Sequence, residues 1–407
     1  MLRRIGLKQT IAMAAASGSY YWRTFLWPFS QSQQQQWRSL LSSAISYFRP
    51  LFFFLFSLYF TFSLTASIVI NIATSQYSPI ASDPAMAPAF RIGTIGELCE
   101  SNSPVTEKTI IFIETSGGNC LRPRQACAIE SAARTNPDMK IRVHMATSPP
   151  PGNPELDGGY GLDGNCQSMD VLNRLDNVQI IREDLTRHLL GTPLEALLRG
   201  GKFEKSKFSF QHLSDVVRIA MLHKSGGIYL DLDVVVLRSL GCLRNTAGEV
   251  RSPEYKAGIE NGVLIFDKGH ELLNQYMRLM EREYDPLGRE SIGPLAFIKA
   301  ASEFCGFGGC EGCDFGHRFD CGDNWNLTVL YTEAFYPIPF RNRERFYEPN
   351  FPLIELDNLQ TSYVVHVYGA GHGAQVAPSS LYGFLAQRFC PAVYLASYST
   401  SRNKFEF

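Results

Sequence analysis

From Thr109 onward, the sequence alternates strand-like apolar segments with segments of helical periodicity, and this order restricts what the chain can fold into. The pattern predicts these elements: strand Thr109–Glu114, helix Arg122–Arg134, strand Lys140–Met145, helix Met169–Leu175, strand Val178–Ile181 and helix Pro193–Arg199. Strands that alternate with helices in this way indicate a mostly parallel sheet with helices on both faces. Ligands of such sheets bind outside the carboxyl ends of the strands. We therefore expect an α/β fold with its site at that edge.

The run Ser225–Asp233 (SGGIYLDLD) carries the most chemical information in the sequence. Asp231 and Asp233 end an apolar, strand-like segment, and side chains two residues apart on an extended strand share a face. Carboxylates are ligands that Mg²⁺ and Mn²⁺ prefer, and these ions often bind substrate phosphates as well. The run therefore predicts a metal–diphosphate site. The alternative is a strand end with two exposed acids.

A helix is predicted directly before this run, over His212–Lys224, from the spacing of its apolar residues. Asp215 and Arg218 are three residues apart and therefore lie on one helical face. We expect Gly226 to end the helix and turn the chain into the strand. The acid and the guanidinium would then lie beside the two aspartates, whereas the alternative is a solvated ion pair.

These two segments, Ser214–Arg218 and Gly226–Asp233, together resemble the DXD signature of glycosyltransferase family 32. The resemblance is to its α1,4-galactosyltransferase and α1,4-N-acetylglucosaminyltransferase group, which makes globo-type glycolipids and related glycans. It extends from about residue 109 to about residue 393 through further stretches: Ile110–Ser116, Cys127–Arg134, Asn177–Leu185, Thr192–Leu194, Asn261–Val263, Gly293–Pro294, Glu333–Pro339, Val365–Val367 and Leu385–Pro391.

The resemblance implies a GT-A-type α/β domain that binds a nucleotide sugar. It implies transfer of galactose, or of an N-acetylhexosamine, from a UDP-sugar in α1,4 linkage, with retention of configuration. The implied acceptor is a glycolipid such as lactosylceramide, or a related glycan. The implied cofactor is Mn²⁺ or Mg²⁺, and the implied place is the Golgi membrane.

The resemblance also implies roles for individual residues. Asp231 and Asp233 would bind the metal, and His366 is the candidate third ligand, with His372 as a weaker alternative. A histidine that only closes a strand is the structural alternative for His366. Asp215 and Arg218 would hold donor-sugar hydroxyls and the diphosphate, and these two residues with Asp231 and Asp233 are the candidate catalytic residues. The other candidate donor contacts are Thr115, Ser116, Tyr229, Glu260 and Asn261.

Two departures from the family pattern leave other functions open. Tyr368-Gly369 replaces the usual Trp-Asn after the histidine motif, and Ser291-Ile292 replaces a polar pair. A sugar-binding relative without turnover is therefore one alternative. A haloacid-dehalogenase-like phosphatase with Asp231 as nucleophile is another, because Tyr229–Val234 also fits that pattern.

The N-terminal part predicts a membrane anchor. The first acidic residue is Asp83, and Leu51–Ile70 is an uncharged apolar stretch long enough to span a bilayer. Basic residues precede this stretch, which places the N-terminus in the cytosol by the positive-inside rule. We expect a cytosolic tail over 1–49, a type II signal anchor over 50–72, a stem over 73–106 and a lumenal catalytic domain over 107–396. A mitochondrial presequence is the alternative.

All ten cysteines follow this apolar stretch, and an even number on one side of a membrane indicates disulfides in an oxidising lumen. One cluster also has zinc-like spacing: Cys305, Cys310, Cys313, His317 and Cys321. Asn326 begins an N-glycosylation sequon. The net charge of −1, without a basic patch, argues against nucleic acid as a partner. A homo-oligomer is left open.

Overall fold

The computed structural model describes residues 109–150, 166–251, 258–289, 291–306, 317–322, 325–352, 356–357, 359–369, 376–399 and 404–405. The predicted tail, signal anchor and stem lie outside these residues, and so does His372. Within the described ranges, no helix has the length and apolar character needed to cross a bilayer.

Twelve strands are present in the described residues. In chain order they are β1 (Thr109–Glu114), β2 (Lys140–Ala146), β3 (Val178–Glu183), β4 (Gly227–Leu230), β5 (Val234–Val236), β6 (Thr246–Val250), β7 (Gly258–Phe266), β8 (His317–Asp320), β9 (Asn326–Leu330), β10 (Val364–His366), β11 (Tyr398–Ser399) and β12 (Lys404–Phe405).

The same residues contain eight α-helices. They are α1 (Pro123–Thr135), α2 (Gln167–Leu172), α3 (Glu195–Arg199), α4 (Ser209–Ser225), α5 (Glu271–Glu283), α6 (Pro294–Cys305), α7 (Leu381–Phe389) and α8 (Pro391–Ala396). Short 3-10 helices cover Leu185–Leu189, Phe203–Lys205, Thr332–Ala334 and Phe340–Phe346.

Eight strands form the central sheet in the order β3-β2-β1-β4-β7-β6-β9-β8. The half β3-β2-β1-β4 is parallel, and β7 then pairs antiparallel with both β4 and β6. The pair β6–β9 is again parallel. Helices α1 and α7 bury their apolar faces on one side of the sheet, and α4, α5 and α6 do so on the other. The α/β class and the mostly parallel sheet are therefore confirmed, while the GT-A type stays a prediction.

Helix α4 ends where its sequence predicts, at Gly226. This residue has a φ of 68°, and a Cβ there would lie 2.6 Å from the backbone nitrogen of Lys268. A side chain at this position would thus be strained and would also collide with the backbone of Lys268. The glycine fixes the sharp passage from α4 into β4, which carries the two aspartates to the sheet edge.

Two local predictions were wrong. The extended strand stops at Leu230, and residues 231–233 form a turn between β4 and β5, so the two aspartates do not share a strand face. Polar Glu260 and Asn261, which precede the apolar run Val263–Phe266, predict a turn that enters a strand. Both residues instead lie within β7, because this strand continues outward past the end of β4 to pair with β6.

Three disulfides join two described cysteines each: Cys120–Cys166, Cys127–Cys390 and Cys305–Cys321. The bond between Cys127 and Cys390 joins α1 to the segment between α7 and α8, 263 residues later. The bond between Cys305 and Cys321 favours the disulfide interpretation of the zinc-like cluster. Cys310, Cys313 and the His317 side chain lie outside the description.

Candidate active site at the carboxyl edge of the parallel strands

Asp231, Asp233 and His366 converge at the edge where β4 ends. Strand β10 pairs antiparallel with β5 and sets His366 opposite Val234, next to the aspartate turn. His366 Nε2 lies 3.3 Å from Asp231 Oδ2 and 3.3 Å from Asp233 Oδ1. One ligand atom from each residue lies within 4.8 Å of the other two. The pairing of two short strands thus assembles two carboxylates and an imidazole from distant parts of the sequence.

Gly262 forms the floor of this cluster. Its carbonyl accepts the Asp231 backbone N–H at 2.9 Å. A Cβ at this position would lie 2.8 Å from Asp231 Oδ2 and 2.8 Å from His366 Nε2. Real Cβ atoms essentially never come so close to other atoms, so only glycine leaves room for both ligand atoms. Gly262 of β7 therefore leaves space for both ligand atoms because it has no side chain.

Arg218 orients the carboxylate of Asp231. Its guanidinium is buried, and Nη1 lies 3.0 Å from Asp231 Oδ1 while also donating to the Asn261 carbonyl at 2.8 Å. Its Nε and Nη2 donate to the carbonyl and hydroxyl of Ser214, one helical turn earlier. The donors of Arg218 are engaged within the protein. The predicted contact with donor oxyanions would therefore require one of these bonds to exchange.

Asp215 and Tyr229 complete the layer beneath the aspartates. Asp215 Oδ1 lies 3.3 Å from Arg218 Nη2 and accepts a hydrogen bond from Asn261 Nδ2 at 3.0 Å. The Tyr229 hydroxyl donates to Asp231 Oδ1 at 2.6 Å, and the Arg218 guanidinium lies 4.5 Å from the centre of the Tyr229 ring. The predicted placement of the Asp215/Arg218 helix beside the two aspartates is thus found in the structure.

The charges of these groups are strongly linked. Burial acts against a charged His366, but Asp233 and Asp231 outweigh it and raise the pKa of His366 to about 9. Burial also acts against ionised Asp231, yet Arg218 and His366 hold the pKa of that carboxyl below its ordinary value. Burial and the charge on Asp231 raise the pKa of Asp233, against the pull of His366. The two carboxylates repel each other, and a divalent cation would relieve that repulsion.

The residues present fit a hard divalent cation. Two carboxylates and one imidazole suit Mn²⁺ or Mg²⁺, and the aspartate side chains are 24% and 30% exposed, so an ion can reach them. One adjustment is needed at His366, whose Nδ1 accepts the Tyr368 backbone N–H at 3.1 Å when the ring is neutral. An ion on Nε2 would leave the ring proton on Nδ1, so this hydrogen bond would have to break and Tyr368 would shift.

The remaining candidate donor contacts are Thr115, Ser116 and Glu260. The Thr115 hydroxyl donates to the Phe210 carbonyl at the start of α4, and the Ser116 hydroxyl accepts from the Gly118 backbone. Both residues thus follow β1 at the same edge of the sheet, and Thr115 also contacts α4. Glu260 lies close enough to His366 to influence its pKa.

Sequence reasoning missed some contributors to this site. Gly262 carried a signal, since a glycine inside an apolar strand marks a close approach. Tyr336 and Tyr368 form an aromatic wall, with ring centres 5.5 Å and 4.7 Å from that of His366. Nothing local in the sequence links these tyrosines to the aspartates.

Asn326, the predicted glycosylation residue, begins β9, and its carbonyl accepts a hydrogen bond from His270.

Two family models match the chain, one after the other. Residues 122–252 match the glycosyltransferase sugar-binding region containing the DXD motif, and residues 265–397 match the alpha 1,4-glycosyltransferase conserved region. The first match contains both aspartates and the second contains His366. The chain belongs to the DXD-containing glycosyltransferases. This membership argues against the phosphatase alternative, in which Asp231 would be the nucleophile.

Relatives that match most of the chain have names that agree with this family. Mouse lactosylceramide 4-alpha-galactosyltransferase is 29% identical over 294 residues, which cover 70% of this chain and 75% of the relative. Human alpha-1,4-N-acetylglucosaminyltransferase is 25% identical over 298 residues, which cover 70% and 79%. The solved structure of the PaToxG glycosyltransferase has a TM-score of 0.37 and 20% identity, and covers 51% of this chain and 72% of its own. A TM-score this low carries no argument about the fold, and the fold assignment therefore depends on the sheet described above.

Proposed function

We propose that this glycosyltransferase is a metal-dependent, retaining hexosyltransferase of the GT-A type. It transfers galactose, or an N-acetylhexosamine, from a UDP-sugar in α1,4 linkage to a glycolipid such as lactosylceramide or to a related glycan. The observation that carries the proposal is the convergence of Asp231, Asp233 and His366 on one point above a buried arginine. The names of the mouse and human relatives support the linkage and the choice of sugars.

A divalent ion, Mn²⁺ or Mg²⁺, would be held by Asp231, Asp233 and His366 and would supply charge neutralisation at the diphosphate leaving group. Arg218 keeps Asp231 ionised and oriented, because it lies 3.0 Å from that carboxylate. Asp215 is oriented by Asn261 and Arg218, and we assign it to the hydroxyls of the donor sugar. A carboxylate is suited to that task because it only accepts hydrogen bonds.

No nucleophile is assigned. The acceptor hydroxyl would attack the anomeric carbon on the face that the diphosphate leaves, and the departing phosphate oxygen would take the hydroxyl proton. This route keeps the α configuration and needs only positioning and charge stabilisation from the residues described.

The proposal includes a place for the enzyme. The acid-free N-terminal part and the apolar stretch Leu51–Ile70 support a type II anchor in the Golgi membrane, with the catalytic domain over 107–396 in the lumen. The described disulfides suit an oxidising lumen. Glycosylation at Asn326 would follow from that location.

The test is a transfer assay with the full-length chain purified in detergent. UDP-galactose, UDP-N-acetylgalactosamine and UDP-N-acetylglucosamine are each offered with lactosyl- or N-acetylhexosaminyl-terminated lipids, with Mn²⁺ or with EDTA. Asp233→Ala is assayed beside Asp176→Ala, which removes an exposed aspartate far from the site in sequence. We expect product only with metal, and loss of product only in Asp233→Ala. Well-folded protein that binds UDP-sugar but forms no product would instead support the sugar-binding alternative.

A further inference from the structure

A second group of metal-ligating side chains lies at the carboxyl ends of β2 and β3. Glu183 Oε1 is 2.5 Å from His144 Nδ1 and 2.9 Å from His188 Nε2. The two imidazole rings are edge to face, with centres 5.7 Å apart. One ligand atom from each of the three residues lies within 4.8 Å of the other two. Both rings therefore face the same carboxylate oxygen.

The fold builds this group from three separate segments. The parallel register sets His144 opposite Ile181 and Ala146 opposite Glu183, so His144 and Glu183 share one face of the sheet. The chain then enters the 3-10 helix Leu185–Leu189, which begins with the Asp184 side chain accepting the Thr186 N–H. This helix returns His188 over Glu183. The three side chains therefore meet without any change in the backbone.

We propose that His144, Glu183 and His188 form a second cation site, selective for zinc-type ions and separate from the Asp231/Asp233/His366 cluster. The donor atoms carry this assignment. Two imidazoles and one carboxylate are a frequent ligand set for Zn²⁺, whereas two carboxylates and one imidazole suit harder ions such as Mn²⁺. The two sites would therefore sort different ions.

The geometry fits an ion after a small adjustment. Tetrahedral ligands at zinc bond lengths of about 2.0–2.1 Å lie roughly 3.3 Å apart. The two His–Glu separations would have to widen by less than about 1 Å. The His144 Nε2 atom is buried and has no hydrogen-bond partner among the described residues, so no existing bond stops it from carrying the ring proton when Nδ1 binds an ion.

An ion can also enter from solvent. His144 is buried, but the His188 and Glu183 side chains are 23% and 27% exposed. Three protein ligands leave a fourth position for water, as in open zinc sites. The cation Arg142 lies two residues before His144 on the same strand face and opposes a positive ion, so Glu183 is the ligand on which affinity should depend most.

Occupation of this site would tie the edge strand β3 to β2 and to the segment that follows. Arg182, next to Glu183, donates to the side-chain and backbone oxygens of Asn119 at 2.9 Å and 2.6 Å. Asn119 belongs to the loop after β1, close behind Thr115 and Ser116. The ion would thus hold in place the strand end that supports this loop.

The test uses the full-length chain without a histidine tag, in which Asp231→Asn and Asp233→Asn together disable the first cluster. Bound Zn²⁺ is counted by equilibrium dialysis and elemental analysis, and Co²⁺ is used as a spectroscopic probe. His188→Ala and Glu183→Gln are each added to this background. His223→Ala, which removes a half-buried histidine from the end of α4, is the matched control.

We expect one zinc ion per chain in the background and in the His223→Ala control, with a cobalt spectrum of a tetrahedral site. His188→Ala and Glu183→Gln should weaken zinc binding at least tenfold. Zinc at about 100-fold above its Kd should raise the Tm of the background by about 4 °C, and of the two site variants by much less. Unchanged metal-free Tm values show that these variants fold. A background that binds no zinc, or equal binding by His188→Ala and His223→Ala, would overturn the proposal.

Discussion

Gly262→Ala tests the geometry of the candidate active site most directly, because it adds one methyl group and no charge. The new Cβ would lie 2.8 Å from both Asp231 Oδ2 and His366 Nε2, whereas ordinary contacts lie at 3.4–4 Å. Each ligand atom would therefore have to move by about 1 Å. Misplacement by about 1 Å typically costs about 100-fold in catalytic rate. The expected result is a fall of that size in the transfer rate, and a Mn²⁺ requirement shifted upward at least tenfold.

The fold should tolerate this change. Gly262 lies within β7 and its φ is not in the left-handed region, so alanine adds little backbone strain. Gly258→Ala is the matched control, since Gly258 lies in the same strand and its new methyl would meet only Val250 at ordinary contact distance. The measurements are the Mn²⁺ dependence of transfer and the Tm of each variant.

The two variants separate the possible outcomes. Loss of activity in Gly262→Ala, with a Tm within a few degrees of the parent and full activity in Gly258→Ala, would support the ion-binding geometry. A Gly262→Ala enzyme with the parent's rate and metal requirement would refute it. Equal losses in both variants would point instead to a general sensitivity of β7.

Three further changes test the surroundings of the site and the core. Tyr229→Phe removes the 2.6 Å hydrogen bond to Asp231 and should lower the transfer rate about tenfold, with a Tm within a few degrees of the parent; a full-rate variant would contradict that role. Glu130→Ala removes a fully buried carboxylate that accepts two backbone N–H groups at the start of α8, and should lower the free energy of unfolding in urea by about 2–4 kcal/mol. A loss below 1 kcal/mol would show that the carboxylate is dispensable. Burial lowers the pKa of His270 to about 4, so between pH 6.5 and pH 4 the unfolded chain gains a proton that the folded one does not, and up to about 3 kcal/mol of stability is lost as pH falls. His270→Asn should flatten the pH dependence of the unfolding free energy over that range, and an unchanged slope would assign it to other groups.

Local patterns predicted much of the fold because they depend on neighbours in the sequence. Strand Thr109–Glu114 has the bounds that its apolar run indicates, and α4 ends at the glycine that its sequence provides. The meeting of Asp215, Arg218 and Asp231 also followed from local information, since a short turn joins their helix to the next strand. Helical spacing fixes the first two residues, and the turn fixes the third.

The remaining features depend on pairings between distant segments. The position of His366 results from the pairing of β10 with β5, and periodicity does not show which strand a late segment joins. The extension of β7 past β4, which places Asn261 within a strand, depends on its second partner β6. His144 and Glu183 meet because of the register between β2 and β3, and His188 joins them through a 3-10 turn that its apolar pattern does not indicate.

The short strand β10 has a consequence for how the enzyme is made. The central sheet is complete once β9 has been synthesised, yet the imidazole of the candidate site is supplied only later, by His366. Because chains fold from the N-terminus during synthesis, a product that stops between Leu330 and Val364 could have its whole sheet and still lack the third ligand. Such a product would also lack Cys390, the partner of Cys127. Early termination in this interval would therefore leave Cys127 without its disulfide partner and the candidate site without its imidazole.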